Sequence, residues 1–129
     1  MPKPTHHLHL DFETYCALDL KKVGVHRYVA DPSFKIMCVS WKFDGQQTRG
    51  TIGTSLPPDL RQALQNPDVQ GHAFNAAFET TVLERLGAFV ANPLSCTMQR
   101  ALAYGLPANL SGRRWRWDWR TRKTRRGTA

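Results

Sequence analysis

No run of about 18 apolar residues occurs in the chain, so hydropathy offers no membrane-spanning helix. Residues 1–5 lead straight into alternating sequence without the apolar core of a secretory leader, and none is expected. Cysteine is scarce and poorly placed for chemistry. Cys16, Cys38 and Cys96 are odd in number and far apart, with no Cys-x-x-Cys spacing for zinc or redox work. Three free thiols, buried by default, suit a reducing cytoplasm. Apolar residues fill only 41% of 129 positions, a little low for a globular domain but above the disordered range. The length suits one domain with a real core.

Acidic residues are also few, 10 against 18 Lys and Arg, giving a net charge of +8. The imbalance is local. Residues 113–129 hold eight basic side chains against Asp118, a net of +7, and leave the preceding 112 residues at +1. The basicity therefore belongs to the end of the chain, and the body is nearly neutral.

What is present begins with His6–Glu13. Leu8, Leu10 and Phe12 alternate with His7, His9, Asp11 and Glu13, the period of a strand with one buried face. Residues i and i+2 share a face, so Asp11 and Glu13 project together with Cα atoms about 6.7 Å apart. Paired carboxylates repel unless a cation neutralises them, and oxygen ligands of this kind favour Mg²⁺ or Mn²⁺. A polar strand end in water is the plain alternative. His7 and His9 lie upstream of the carboxylates and are expected to pack against or face a neighbouring element. His26 falls in a connector and His72 in a later strand.

Residues 14–35 read as a connecting segment with a turn at Asp31-Pro32-Ser33. Ile36–Phe43 is rich in β-branched and aromatic residues and predicts a second strand, closed by Asp44-Gly45 into a hairpin with Gln47–Ile52. Pro57-Pro58-Asp59 opens a short helix over Leu60–Leu64. Val69–Ala73 predicts a strand. Ala76–Leu86 predicts an amphipathic helix with Phe78, Val82 and Leu86 four apart and Gly87 as its stop. Cys96–Tyr104 predicts another helix, ended by Gly105-Leu106-Pro107. Antiparallel strands followed by strand–helix alternation indicate an α/β domain with a mixed sheet. Asn75 and Glu79 fall at the start of the Ala76–Leu86 helix, where a cap and a favourable dipole contact would also explain them. Glu84 points elsewhere, to solvent.

Taken together, these pieces resemble the 3′–5′ exonuclease (proofreading) domain of phage-type family A DNA polymerases, in the ribonuclease H-like superfamily. Asp11-Phe12-Glu13-Thr14 matches the first motif on the opening strand. His72-Ala73-Phe74-Asn75-Ala76-Ala77-Phe78-Glu79 matches the second, Asn-x-x-aromatic-acid. Asp19–Gly24, Tyr28–Pro32, Cys96-Thr97-Met98 and Leu102–Leu110 are similar to that subgroup's connectors, so the resemblance covers about residues 7–112. It implies a ribonuclease H-like α/β fold, a mixed sheet with flanking helices, incomplete at its C-terminus. It also implies hydrolysis of phosphodiester bonds at DNA 3′ ends with two Mg²⁺ or Mn²⁺ ions about 4 Å apart. Asp11 would bind both ions, Glu13 one, and Glu79 would be the third carboxylate of the catalytic set. Thr14 would lie near the bound 3′ end, with Asn75 and Phe78 holding substrate or the motif. The superfamily usually has aspartate at the Glu79 position, and the extra methylene makes metal geometry there the loosest match. The implied partners are a single-stranded DNA 3′ end and a polymerase domain beyond this chain, in the cytoplasm of a bacterial or phage-infected cell.

The superfamily mechanism also needs a fourth acid preceded by a Tyr or His that orients the attacking water. Tyr104 is followed only by Asp118, with 13 residues between them, and this pair does not fit. A partial exonuclease domain over residues 1–112 with impaired catalysis is therefore expected.

The tail over 113–129 interleaves Trp115, Trp117 and Trp119 with Arg114, Arg116, Asp118 and Arg120. It is expected to be disordered or the product of out-of-frame translation. Composition changes abruptly at Gly112, and shifting the frame turns each tryptophan codon into one for Val, Leu or Met. The alternative is a non-catalytic nucleic-acid-binding remnant, with Arg on phosphate and Trp stacked on bases. A membrane-surface segment lacks a helical apolar face.

Overall fold

The computed structural model describes residues 3–107, 116–118 and 123–125. The chain forms two compact units, Met1–Cys96 and Thr97–Ala129.

The first unit is built on strand β1 (His6–Tyr15), whose alternation buries Leu8, Leu10 and Phe12 and exposes His7, His9, Asp11 and Glu13. After β1 come two short helices, α1 (Leu20–Val23) and α2 (Val25–Ala30), then β2 (Lys35–Phe43) and β3 (Arg49–Ile52). Helix α3 (Pro58–Gln65) leads to β4 (Val69–Ala73), and α4 (Ala76–Arg85) to the two-residue β5 (Ser95–Cys96). The sheet order is β3-β2-β1-β4-β5. β2 runs antiparallel to β1 and β3, while β4 is parallel to both β1 and β5. Antiparallel neighbours accept short turns, whereas the parallel ones need helical crossovers, which α3 and α4 provide. This is the mixed sheet with flanking helices that the sequence predicts.

The core gathers Leu8, Leu10 and Phe12 of β1, Ile36, Val39 and Trp41 of β2, Leu60 and Leu64 of α3, and Val82 and Leu83 of α4. Asp44 closes the β1–β2 end: its Oδ2 accepts from the His7 N–H at 2.8 Å, and its own N–H donates to the His7 carbonyl at 3.1 Å. Gly45 beside it has φ +67°, which the turn requires. Arg49 lies over the Trp41 ring at 5.1 Å and pairs with Asp59 at 2.9 Å, linking β3 to α3. Gly87 stops α4 with φ +69°, donating its N–H to the Glu84 carbonyl while Ala88 donates to Leu83.

Three expectations change. The segment 14–35 holds α1 and α2 rather than a plain connection. Asp19 Oδ1 caps α1 by accepting from the Lys21 N–H at 3.0 Å, and Gly24 at φ +81° separates the two helices. β5 is too short to show any alternation and was not expected. The three cysteines are free, as expected, but each is partly exposed rather than buried.

In the second unit α5 (Thr97–Ala103) ends as the sequence predicts, with Gly105 at φ +75°. Gly105 donates its N–H to the Leu102 carbonyl and Leu106 to the Ala101 carbonyl, a Schellman closure. Strands β6 (Arg116–Asp118) and β7 (Lys123–Arg125) pair antiparallel, with Trp117 opposite Thr124. The rest of 113–129 lies outside the described residues.

Candidate functional site

β1 outruns its parallel partner. The β1–β4 ladder stops at His9 opposite His72, and β4 ends at Ala73. Beyond it the chain turns through Phe74 and Asn75 into α4. A notch is left beside the second half of β1, where Asp11 and Glu13 stand. Glu79, one turn into α4, is buried and close enough to Asp11 and to the Phe12 backbone for both to bear on its titration.

Glu79 is only 4% exposed, and its Oε2 is buried without a hydrogen-bond partner. Burial is the largest cause pushing its pKa up from the usual 4.5 to about 7, with the Asp11 charge adding to the rise and backbone hydrogen bonding at Glu79 and Phe12 opposing it. A buried carboxylate oxygen with no donor, next to a second carboxylate, is costly unless a proton or a cation answers it. The donor set is all oxygen, which suits Mg²⁺ or Mn²⁺. Asp11, Glu13 and Glu79 thus fit a divalent ion by chemistry. Asp11 and Glu79 are within electrostatic reach of each other, and Glu13 stands exposed two residues along the same face. Among the described residues no three His, Cys, Asp or Glu side chains converge into a ready-made metal cluster.

Thr14 is re-aimed by an irregularity. Glu13 pairs with Cys38 but Thr14 pairs with Ile36, so β2 spends Met37 as an extra residue at this point. The Thr14 side chain is half-buried, with Oγ1 3.0 Å from the Tyr28 hydroxyl. Tyr28 comes from α2, is buried, and places its ring 6.3 Å from Phe78 and 5.7 Å from Phe34. Arg85 Nε of α4 donates to the Val29 carbonyl at 3.0 Å, fastening α4 to α2. Phe78, expected to hold substrate or the motif itself, is half-buried against the core beside Tyr28. Asn75 is exposed at the start of α4 and makes no side-chain capping bond, so capping does not explain it.

Tyr28, which the sequence places only in a connector, has a role there that the motifs do not assign. It ties Thr14 and Phe78 into one assembly. The signal was present: Val25, Tyr28 and Val29 recur at helical spacing inside a segment read as a connector.

A shallow groove of about 280 Å³ runs beside Asp11, lined by His9, Ser40, Trp41, Lys42 and Thr48 among others. A larger cleft of about 430 Å³ lies along α4 and residues 88–94, with Phe89, Val90 and Leu94 in its wall. It shares no residue with the carboxylates.

No family model matches the chain. It is 34% identical over 110 residues to a DNA polymerase of Bacillus phage SP02, an alignment covering 81% of this chain and 17% of the polymerase. A solved structure described as the apo form of a nuclease superposes with a TM-score of 0.58 at 18% identity, covering 83% of this chain and 49% of that one. The chain therefore spans less than a fifth of the polymerase and about half of the nuclease chain. With this likeness the α/β architecture is a nuclease-like fold of the ribonuclease H type.

Proposed function

We propose that these residues are the part of a 3′–5′ exonuclease domain of a phage-type DNA polymerase that carries its first two acidic motifs. The observation that carries this reading is Glu79, buried and short of a hydrogen-bond donor, beside Asp11 on the central strand. Similarity to a phage DNA polymerase along most of the chain supports it. Asp11, Glu13 and Glu79 would hold Mg²⁺ or Mn²⁺. Such ions, when bound, supply the charge that activates water and stabilises the leaving 3′ oxygen.

The remaining steps belong to the chain. Glu79 must shed its proton before it can hold a cation, so ion binding strengthens as pH rises through about 7. Thr14, held by Tyr28, offers a fixed hydroxyl at the end of β1 for the sugar-phosphate of a 3′ terminus. Asn75 offers an amide free of capping duty on the adjoining turn.

The test is release of mononucleotides from single-stranded DNA in Mg²⁺ or Mn²⁺. The reading expects metal-dependent release that Asp11→Ala abolishes. Release that persists unchanged in Asp11→Ala, or none above a blank with either metal, argues against it. The concentrated charge of 113–129 favours one alternative, a non-catalytic binder of nucleic acid through the tail. That reading requires binding that survives Asp11→Ala.

A further inference from the structure

Upstream of the carboxylates the sheet gathers three imidazoles that the proposed nuclease chemistry does not use. His7 and His9 project from one face of β1, and His72 arrives on β4 opposite His9. His7 Nδ1 and His72 Nε2 are 2.8 Å apart. The His9 ring stacks on His72 at 4.7 Å with 17° between planes, and the His7 ring centre is 5.0 Å from it. His72 is 8% exposed, while His7 is open to solvent.

From this geometry we propose that His7 and His72 form a two-nitrogen chelate for a borderline first-row divalent ion, Cu²⁺ or Ni²⁺. Two nitrogens this close, each about 2.0 Å from one ion, subtend about 90° at it. That is the cis relation in a square-planar or octahedral complex. Tetrahedral zinc would hold its nitrogens about 3.3 Å apart and asks for a wider pair. The buried His72 ring is fixed in plane by the His9 stack, and the exposed His7 ring gives the ion a way in, with water completing the coordination. Binding replaces the hydrogen bond between the His7 and His72 rings. The ligand set is imidazole, so this site and the carboxylate site prefer different metals. An ion here would staple β1 to β4 and raise the stability of the folded state by mass action.

The experiment titrates the full chain with Cu²⁺, followed by electron paramagnetic resonance for nitrogen coupling and by thermal melting with and without the ion. His6, His7 and His9 lie close in sequence and can bind metal without any fold, so the decisive variant is His72→Gln, contributed from β4. A melt in the absence of metal establishes that this variant is folded; should it fail to fold, His7→Gln on the exposed ring takes its place. The expected result is an ion bound by two nitrogens, a rise in melting temperature, and affinity about tenfold or more weaker in His72→Gln and in His7→Gln. His6→Ala should leave it unchanged. Equal affinity in the wild type and both glutamine variants overturns the proposal, as does binding that leaves the melting temperature unmoved.

Discussion

A carboxyl group as enclosed as that of Glu79, with Asp11 for a neighbour, keeps its proton to about pH 7, well above its usual 4.5. Between those two values the folded chain holds a proton that the unfolded chain has released. Stability conferred by the protonated group is complete at low pH and falls as pH rises toward 7, by on the order of 3 kcal/mol in total. Melting of the metal-free protein should therefore weaken over that interval, and Glu79→Gln, which cannot ionise, should flatten the profile. An unchanged slope in the variant would place the titration elsewhere. Tyr28 invites a second test at this scale. Its hydroxyl meets Thr14 Oγ1 at 3.0 Å in a partly buried setting. Tyr28→Phe should cost about 0.5–1.5 kcal/mol in urea unfolding. A cycle with Thr14→Val should show that the two losses are shared rather than additive.

At the scale of elements, β1 and α4 do most to build the site. The alternation of Leu8, Leu10 and Phe12 makes one face of β1 core and leaves Asp11 and Glu13 on the other. Helix α4 buries Val82 and Leu83 on one side and carries Glu79 into the notch that β4 leaves open. Leu83→Ala should destabilise by about 2–5 kcal/mol, because it empties a fully packed position. It should also loosen Glu79, seen as a lower pKa for that group in a pH titration by NMR. These elements are legible in the sequence because their periodicity runs long enough to count: three buried positions alternating with polar ones in β1, and Phe78, Val82 and Leu86 at helical spacing along α4 and its cap. Asp44-Gly45 was legible as a turn for the same local reasons that make it one. What escaped was short or non-local. Gly24 cuts α1 and α2 into pieces too brief for periodicity to register. β5 has two residues. The extra residue at Met37 depends on how two strands meet, which no single segment encodes. The paired motifs point to Asp11 and Glu79, but the depth of Glu79's burial is a property of the packed fold that no single segment encodes.

The whole molecule is electrically divided. Nearly all its excess charge lies in 113–129, while the first unit carries the carboxylates. If the tail contacts phosphate, affinity for single-stranded DNA should fall steeply with salt, and deleting 113–129 should weaken binding and reduce the slope. An unchanged slope after deletion would place the contacts in the first unit. More narrowly, we propose that Asp11 and Glu79 together form a place for a divalent ion. Its most direct test is Mn²⁺ affinity of the full chain, measured by paramagnetic resonance or calorimetry across pH 5 to 8, for the wild type, Asp11→Ala and Glu79→Gln. The account predicts binding that strengthens through about pH 7 as Glu79 ionises, and that each substitution weakens about tenfold or more. Affinity independent of pH and equal in all three proteins would contradict it.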